Sequence, residues 1–269
     1  MATRGHCVHC PMAMPAPALP PELSAWFSQR GWSLRRHQAE MLEIATSGRH
    51  ALLVADTGAG KTLGGFLPTL AEFCPSQGAV PGEGLHTLYV SPLKAFAHDV
   101  QRNLLAPIEE LGLALRVEVR SGDTPSDRKA RQRSRPPQVL LTTPESLSLL
   151  LSYSEAPTLF AGLKRVVIDE VHALAPTKRG HLLALGLARL QTLAPAMQRV
   201  ALSATLAEPE EFRAWLAPGG QADSVDLVIG ETGAPAELEI LLPEEARIPW
   251  SGHAAAWAVP QLIEKLKPS

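Results

Sequence analysis

The segment Ala51-Leu52-Leu53-Val54-Ala55-Asp56-Thr57-Gly58-Ala59-Gly60-Lys61-Thr62 joins an apolar run to a glycine-rich turn that ends in Lys-Thr. The apolar run is typical of a strand buried on both faces, and a helical pattern over residues 61–73 follows at once. Glycines let backbone N–H groups turn inward, and a helix N-terminus carries partial positive charge. The segment therefore predicts a strand, a phosphate-binding loop and a helix, rather than a glycine-rich turn that binds nothing.

Further short apolar runs repeat this pattern at residues 87–90, 139–141, 166–168 and 200–202. Helical patterns separate them, for example at 96–111 and 180–193, and another covers 23–48 with breaks at Gly31 and Ser33. Alternating strands and helices predict an α/β fold of three layers, with a mainly parallel sheet between helices. Such sheets bind ligands at the carboxyl ends of their strands, so the candidate site follows the runs.

Polar residues follow each of these later runs directly. In chain order they are Ser91-Pro92-Leu93-Lys94, Thr142-Thr143-Pro144-Glu145, Asp169-Glu170-Val171-His172 and Ser203-Ala204-Thr205. Because parallel strands end at one edge, we expect all of these segments to share one edge of one sheet.

The phosphate-binding loop and the acidic pair predict ATP and Mg²⁺ as cofactors. Lys61 would reach the β- and γ-phosphates, and Thr62 would bind Mg²⁺ together with Asp169. Glu170 would orient and deprotonate the attacking water. Two adjacent carboxylates at the end of a buried strand are costly unless a metal neutralises one. The loop residues expected around the nucleotide are Thr57, Gly58, Ala59 and Gly60, with His172 beside the predicted base.

In this order the motifs resemble the first RecA-like domain of superfamily 2 helicases of the DEXH type. The resemblance narrows to the large helicase-related (Lhr) family over Leu88 to Ala95, Ser121-Gly122-Asp123-Thr124, Leu141 to Leu147, Asp169 to Leu174 and Thr177-Lys178-Arg179-Gly180. Within that family, Leu34-Arg35-Arg36-His37-Gln38 and the segment from Ile248 to His253 are similar to ligase-associated DEXH-box helicases. The resemblance runs from about Pro20 to the C-terminus.

The resemblance implies roles for individual residues. Gln38 would read the adenine edge with Arg35 nearby, while Ser203 and Thr205 would couple the nucleotide site to a nucleic-acid strand. The residues implied in backbone contact with that strand are Ser91, Pro92, Lys94, Gly122, Asp123, Thr124, Thr143, Pro144 and Glu145. Such contacts position a strand without reading its sequence. The implied partners are single-stranded or partly duplex DNA, or RNA, with a repair ligase or nuclease as a protein partner.

The implied function is ATP-driven movement along or unwinding of nucleic acid, in DNA repair if the ligase-associated resemblance holds. We expect a disordered tail at residues 1–20, the ATP-binding domain at 21–217, and a linker with the truncated start of a second RecA-like domain at 218–269. Related motors take an arginine finger from the second domain, but Arg247 is the one arginine after Pro218. The alternative is therefore a non-catalytic nucleotide- or nucleic-acid-binding module, and we expect the isolated chain to be nearly inactive.

Other P-loop ATPases, such as a transporter subunit or a kinase, are disfavoured because Ser-Pro-Leu-Lys, Thr-Thr-Pro-Glu and Ser-Ala-Thr follow successive strands and the transporter signature LSGGQ is absent. A net charge of −2 excludes a polycation, so nucleic acid would need a local basic patch. The basic run from Arg128 to Arg135 is either such a patch or a solvated helix face. Trp32 either stacks on adenine or belongs to the core.

No uncharged run in the sequence is long enough to cross a bilayer, and the N-terminal segment lacks the apolar region of a signal peptide, which predicts a cytoplasmic protein. Three cysteines cannot build a disulfide framework. His6-Cys7-Val8-His9-Cys10 could supply metal ligands, but no second ligand pair follows, which favours a tail.

Overall fold

The computed structural model describes residues 19–56, 58–78, 84–230, 259, 262 and 263, with only the backbone described at 94–99 and 103. The chain divides into two compact units, Met1–Gly233 and Ala234–Ser269. In the second unit the described residues Val259, Leu262 and Ile263 are helical. Within the described part of the chain, no helix has both the length and the apolar character needed to cross a membrane. The metal-ligand candidates at 6–10 and the strand-like stretch at 238–242 lie outside the described residues.

Seven parallel strands form the sheet of the first unit, in the spatial order β3-β4-β2-β5-β6-β1-β7. Their pairing is parallel throughout. Their bounds are β1 His50–Val54, β2 Thr87–Val90, β3 Val117–Arg120, β4 Val139–Thr142, β5 Arg165–Ile168, β6 Gln198–Ser203 and β7 Val225–Ile229.

Helices connect the strands and begin where the sequence supplies suitable first residues. Thr143 and Thr177 are N-caps whose hydroxyls accept hydrogen bonds from backbone N–H groups of the first turn. The helices are α1 Pro21–Gln29, α2 Arg36–Thr46, α3 Lys61–Glu72, α4 Lys94–Glu110, α5 Ser126–Ser134, α6 Pro144–Ser152, α7 Ala156–Phe160, α8 Val171–Leu174, α9 Lys178–Leu193 and α10 Pro209–Leu216.

Two apolar cores cover the two faces of the sheet. Successive strand residues alternate between them, so that Leu53 packs with residues of α1 to α4 and Leu52 packs with residues of α6 to α10. The central strands β2, β4, β5 and β6 are buried along their whole length. This is the three-layer RecA-like architecture that the sequence predicted, and it explains why these strands read as uninterrupted apolar runs.

The five predicted strands are confirmed as β1, β2, β4, β5 and β6. The boundary predicted after residue 217 is wrong, because β7 pairs in parallel with β1 and completes the first sheet. Pro218-Gly219-Gly220 is a turn inside this unit, with left-handed backbone at both glycines, and it leads from α10 toward β7. The Pro-Gly-Gly sequence therefore indicates a reversal of the chain within this unit and not the end of a domain.

Candidate functional site

The phosphate-binding loop connects β1 to α3 and depends on its glycines. Gly58 and Gly60 have φ of 83° and 77°, the left-handed region that glycine adopts without steric cost. Gly60 caps α3, and a Cβ at this position would lie 2.9 Å from Gln38 Nε2. Thr57 lies outside the described residues. The loop therefore has the local geometry that the sequence predicted, directly before Lys61 and Thr62.

Lys61 and Glu170 form an ion pair between this loop and the end of β5. The Lys61 Nζ donates to Glu170 Oε1 at 3.0 Å, and the lysine side chain is only 8% exposed. Among the described residues, Glu170 is the one non-glycine with positive φ, at 48°. That backbone conformation costs about 1–3 kcal/mol, a cost typical of functional positions. The two residues predicted to serve the γ-phosphate and the water are therefore in direct contact.

Asp169 lies one residue earlier and is buried. Burial raises the pKa of its carboxyl above the ordinary value, opposed by a hydrogen bond donated by the Tyr89 hydroxyl. Asp169 Oδ1 also accepts the Glu170 N–H at 3.0 Å. A desolvated carboxylate gains from a cation, and Mg²⁺ commonly binds proteins through one or two carboxylates and substrate phosphates. The site fits the predicted ion, although no cluster of three or more His, Cys, Asp or Glu side chains occurs in the described part of the chain.

His172 connects the acidic pair to the end of β6. Its Nδ1 lies 2.9 Å from Ser203 Oγ and 3.5 Å from Glu170 Oε2. The Ser203 hydroxyl also lies 3.4 Å from the backbone oxygen of Thr205. Ser203 and Thr205 are the residues predicted to couple the two sites. They are connected to Glu170, the predicted base, through the imidazole of His172.

A cavity of about 450 Å³ lies beside the phosphate-binding loop, where adenine is expected. Gln38 lines it and is held by two backbone contacts, since its Oε1 accepts the Arg35 N–H at 3.1 Å and its Nε2 donates to the Gly60 oxygen at 3.4 Å. Trp32 also lines the cavity and is 53% exposed, so its interpretation as a core residue is wrong. It meets Trp26 edge-on at 5.5 Å and presents an aromatic surface beside Gln38.

The turns after β2, β3 and β4 contain the residues predicted to contact nucleic acid. Several of their polar side chains stabilise the turns themselves: Ser91 Oγ donates to the Leu93 oxygen at 3.1 Å, and Thr124 Oγ1 accepts the Ser121 N–H at 2.9 Å. Ser91, Pro92, Thr143 and Pro144 are buried residues, whereas Gly122, Asp123 and Glu145 are exposed. The Lys94 side chain lies outside the described part. The exposed group is therefore the part of these turns that is open to a strand.

The spatial order of the strands divides these segments into two neighbouring sets. The predicted strand-contacting turns follow β3, β4 and β2, which are adjacent. The predicted phosphate-binding loop follows β1 and the predicted acidic pair follows β5, while the predicted coupling residues follow β6, which lies between them; these are the next three strands in the sheet. Along the chain the predicted strand-contacting turns come between the phosphate-binding loop and the acidic pair, but in the sheet each set occupies adjacent strands.

The basic run in α5 is mostly engaged within the protein. Lys129 Nζ donates to the Gly122 oxygen at 2.7 Å, and Arg131 Nη2 contacts both carboxylate oxygens of Glu118 at 3.0 and 2.9 Å. Arg133 lies over the Tyr153 ring at 4.4 Å. Arg128 lines a cavity of about 500 Å³ beside Thr124. These contacts favour a helix face over a continuous phosphate-binding patch. A phosphate contact remains a prediction for Arg128 at the start of the helix.

A parallel sheet with a phosphate-binding loop after β1, an acidic pair after β5 and a polar turn after every central strand defines a P-loop nucleotide-binding domain of RecA-like architecture. Residues 35–212 match the family described as DEAD/DEAH box helicase, and the chain belongs to this family.

The relatives agree with the resemblance to Lhr. The chain is 40% identical over 229 residues to "Lhr helicase/ probable uracil glycosylase" of Mycolicibacterium smegmatis, covering 81% of this chain and 15% of that protein. It is 35% identical over 226 residues to "ATP-dependent helicase Lhr-Core" of Methanocaldococcus jannaschii, covering 80% of this chain and 26% of that protein. The chain thus spans 15% and 26% of the lengths of these two relatives.

A solved structure of Mycobacterium smegmatis helicase Lhr bound to ssDNA and AMP-PNP is also similar. It superimposes with a TM-score of 0.77 and 33% identity over 92% of this chain and 32% of that one. The fold and the Lhr resemblance predicted from the motifs are therefore confirmed.

Proposed function

We propose that this domain binds Mg·ATP above β5, β6 and β1 and one nucleic-acid strand above β3, β4 and β2, as the first half of an ATP-dependent helicase or translocase. The single observation that carries the proposal is the division of one sheet edge into these adjacent halves. Either set of residues alone would fit several P-loop proteins. The two halves also meet through one hydrogen bond, donated by the Tyr89 hydroxyl on β2 to Asp169 directly after β5, and a motor that couples two ligands needs such a connection.

The nucleotide half would work by exchange of charge partners. Lys61, now paired with Glu170, would turn to the β- and γ-phosphates. Release from Lys61 would leave Glu170 free to orient the attacking water and accept its proton. Thr62 and Asp169 would hold Mg²⁺, which neutralises charge that develops on the phosphate oxygens. His172 would transmit the position of Glu170 to Ser203 at the neighbouring strand end.

ATP binding is tested by titrating a fluorescent ATP analogue with Mg²⁺ into the parent protein and into Lys61→Ala. We expect the variant to lose roughly 10- to 100-fold in affinity, the value of hydrogen bonds to a charged group. Lys164→Ala is the matched control, because Lys164 is an exposed lysine at the opposite edge of the sheet. Equal affinity of Lys61→Ala and the control would contradict the assignment.

The 269-residue chain itself is proposed to bind Mg·ATP and to hydrolyse it slowly. In related motors a second domain supplies an arginine finger, worth about 10³ to 10⁵ in turnover. Arg247 is the one arginine that follows Pro218 in the sequence. A steady-state ATPase assay with and without single-stranded DNA, run beside a strand-displacement assay, tests this. Glu170→Gln controls for contaminating ATPases, and robust DNA-stimulated turnover that vanishes in this variant would contradict slow hydrolysis.

The nucleic-acid partner is proposed to be a single strand held through its backbone. The M. smegmatis relative, whose structure contains ssDNA and AMP-PNP, supports this choice. Backbone contacts release counterions, so affinity should fall with salt and depend little on sequence. Anisotropy with labelled DNA and RNA strands of one sequence, at low and moderate salt, measures both properties. Affinity unmoved by salt would contradict the proposal.

The cellular setting is proposed from the motif resemblance alone. The similarity of residues 34–38 and 248–253 to ligase-associated helicases supports a role in DNA repair in the cytoplasm, with a ligase or nuclease as partner. Co-purification of the chain with such an enzyme from its own host, lost when the host's ligase gene is deleted, would test this part.

A further inference from the structure

Arg179, at the start of α9, contacts two of the proposed strand-contacting turns at once. Its Nη1 donates to the Pro92 oxygen at 2.6 Å, in the turn after β2. Its Nε and Nη2 donate to the two carboxylate oxygens of Glu145 at 2.5 and 3.1 Å, in the first turn of α6 after β4. The fork-shaped guanidinium can make these three bonds together, whereas a lysine could not reproduce the geometry.

We infer that Arg179 is a positioning residue that holds these two turns together and cancels the charge of Glu145 where the strand would pass. The inference rests on the proposed function, since it assigns the two turns to nucleic acid. Arg179 would act through Pro92 and Glu145 and would not contact the reacting phosphates.

The position of Arg179 is fixed by tight packing at the start of its helix. Thr177 accepts the Gly180 N–H at 3.2 Å and so caps α9 two residues before Arg179. A Cβ on Gly180 would lie 2.3 Å from the Leu174 oxygen, which leaves room only for glycine. Leu174 ends α8, the helix that starts directly after Glu170. Arg179 therefore ties the strand-contacting turns to the segment that carries the predicted base.

Charge gives Arg179 a second effect. The Arg179 guanidinium holds the pKa of Glu145 at about 2, so this exposed carboxylate is ionised at neutral pH. An ionised carboxylate beside a phosphate backbone repels it unless a cation pairs with the carboxylate. Without Arg179, the Glu145 charge would face the strand uncompensated, and the Pro92 turn would lose the bond that fixes its carbonyl.

The experiment measures the affinity of the 269-residue chain for a labelled single DNA strand and, separately, for a fluorescent ATP analogue with Mg²⁺. We expect Arg179→Ala to weaken DNA binding about tenfold, the value of one hydrogen bond to a charged group, and to leave ATP affinity unchanged. In the Arg179→Ala background, Glu145→Gln should restore part of the DNA affinity, because it removes the uncompensated charge. A merely structural role for Arg179 predicts no such rescue.

Arg189→Ala is the matched control, since Arg189 is an exposed arginine on the same helix α9. If the parent chain binds no DNA at any salt concentration, the proposed function fails. If the parent binds and Arg179→Ala binds equally well, or if Glu145→Gln gives no rescue, this inference alone is overturned. Should Arg179→Ala not fold, Arg179→Lys keeps the charge and loses the fork, and parent-like DNA affinity in that variant would overturn the inference as well.

Discussion

The amino edge of the sheet, where the parallel strands begin, and the carboxyl edge, where they end, both carry buried charged groups. The two edges differ in the partners that these charged groups contact. At the amino edge, the Arg165 guanidinium is 1% exposed and contacts Glu72 at 2.7 Å, Thr69 at 2.9 Å and Gln198 at 2.9 Å. At the carboxyl edge, the Lys61 ammonium pairs with Glu170, a residue in a strained backbone conformation. The first arrangement distributes one charge over several fixed partners, and the second has one carboxylate partner, which a ligand phosphate would replace under the proposed function.

Arg199 shows the same property of the amino edge without a carboxylate. Burial lowers the pKa of its guanidinium to about 10, and the group donates to Gln191 at 2.9 Å and to the Leu216 and Leu187 oxygens at 2.9 and 3.2 Å. Buried cations at this edge therefore stabilise the junctions between strands and helices. Burial of a charge alone therefore does not mark a functional site in this molecule, because Arg165 and Arg199 are buried at the amino edge with fixed partners.

The largest effect that separates the two edges is expected from Arg165→Met. Removing the guanidinium takes away a positive charge beside the Glu72 carboxylate and the hydrogen bonds donated to Thr69, Glu72 and Gln198. This loss should lower the free energy of unfolding by about 3–5 kcal/mol. Urea unfolding at neutral pH measures the loss. Lys61→Met, the carboxyl-edge counterpart, should change stability by less than about 1 kcal/mol because its partner is partly exposed. Equal losses in the two variants would remove the distinction.

Acid should also affect the amino edge through Glu72. Burial alone would raise the pKa of Glu72, but the hydrogen bond from His86 and the charge of Arg165 lower it to about 2, below its ordinary value of 4.5. The unfolded chain therefore takes up this proton first, so the stabilisation is complete above pH 4.5 and is lost as pH falls toward 2. Urea unfolding between pH 5 and about 3 should show a shallower decline in Glu72→Gln than in the parent. Parallel pH dependences would contradict the expected contribution.

A smaller effect is expected from Tyr89→Phe, which tests the junction between the two halves of the carboxyl edge. Loss of the hydroxyl leaves the buried Asp169 carboxylate without this donor, at a cost of about 1–3 kcal/mol in unfolding free energy. We also expect the ATP analogue to require a higher Mg²⁺ concentration, because the carboxylate is less well oriented. Tyr153→Phe, at an exposed tyrosine, is the control. An unchanged Mg²⁺ requirement would separate Tyr89 from the metal site.

The smallest expected effect is a gain in affinity. Glu170→Gln removes the charge that now holds Lys61, so ATP no longer has to break an ion pair worth about 0.2–1 kcal/mol. The fluorescent ATP analogue should bind Glu170→Gln up to about fivefold more tightly than the parent, even as hydrolysis is lost. Asp169→Asn should show the opposite change, because it weakens the metal site. Weaker binding by Glu170→Gln would mean that Glu170 itself supports the nucleotide.

The sequence predicted the central strands because each is apolar at consecutive positions, which only burial on both faces explains. It missed β3, whose Val117-Glu118-Val119-Arg120 alternates as expected of an edge strand, and it assigned β7 to another domain. Both strands lie at the borders of the sheet, where a single covered face gives a weaker apolar signal. Their membership depends on pairing partners that are distant in the chain.

For the site, the sequence identified residues by their position after each strand, and the structure brings Lys61, Glu170, His172 and Ser203 into one connected group. Tyr89 and Arg179 lie in motifs that carry the resemblance, but no role was predicted for either. Tyr89 lies inside an apolar strand, and Arg179 lies on a helix that follows another helix, so neither residue comes directly after a strand. Each matters through a contact across the sheet edge, and such contacts follow from the spatial order of strands, which one sequence does not specify.

The position of β1 between β6 and β7 has a consequence for biosynthesis. This strand leaves the ribosome before the other six strands of the sheet, yet its neighbours are the last two strands of that sheet to be made. Until Ile229 has emerged, β1 lacks one of the two neighbours with which it forms backbone hydrogen bonds. The part of the sheet that carries the glycine-rich loop is therefore complete only when β7, the last strand of this sheet, has been made.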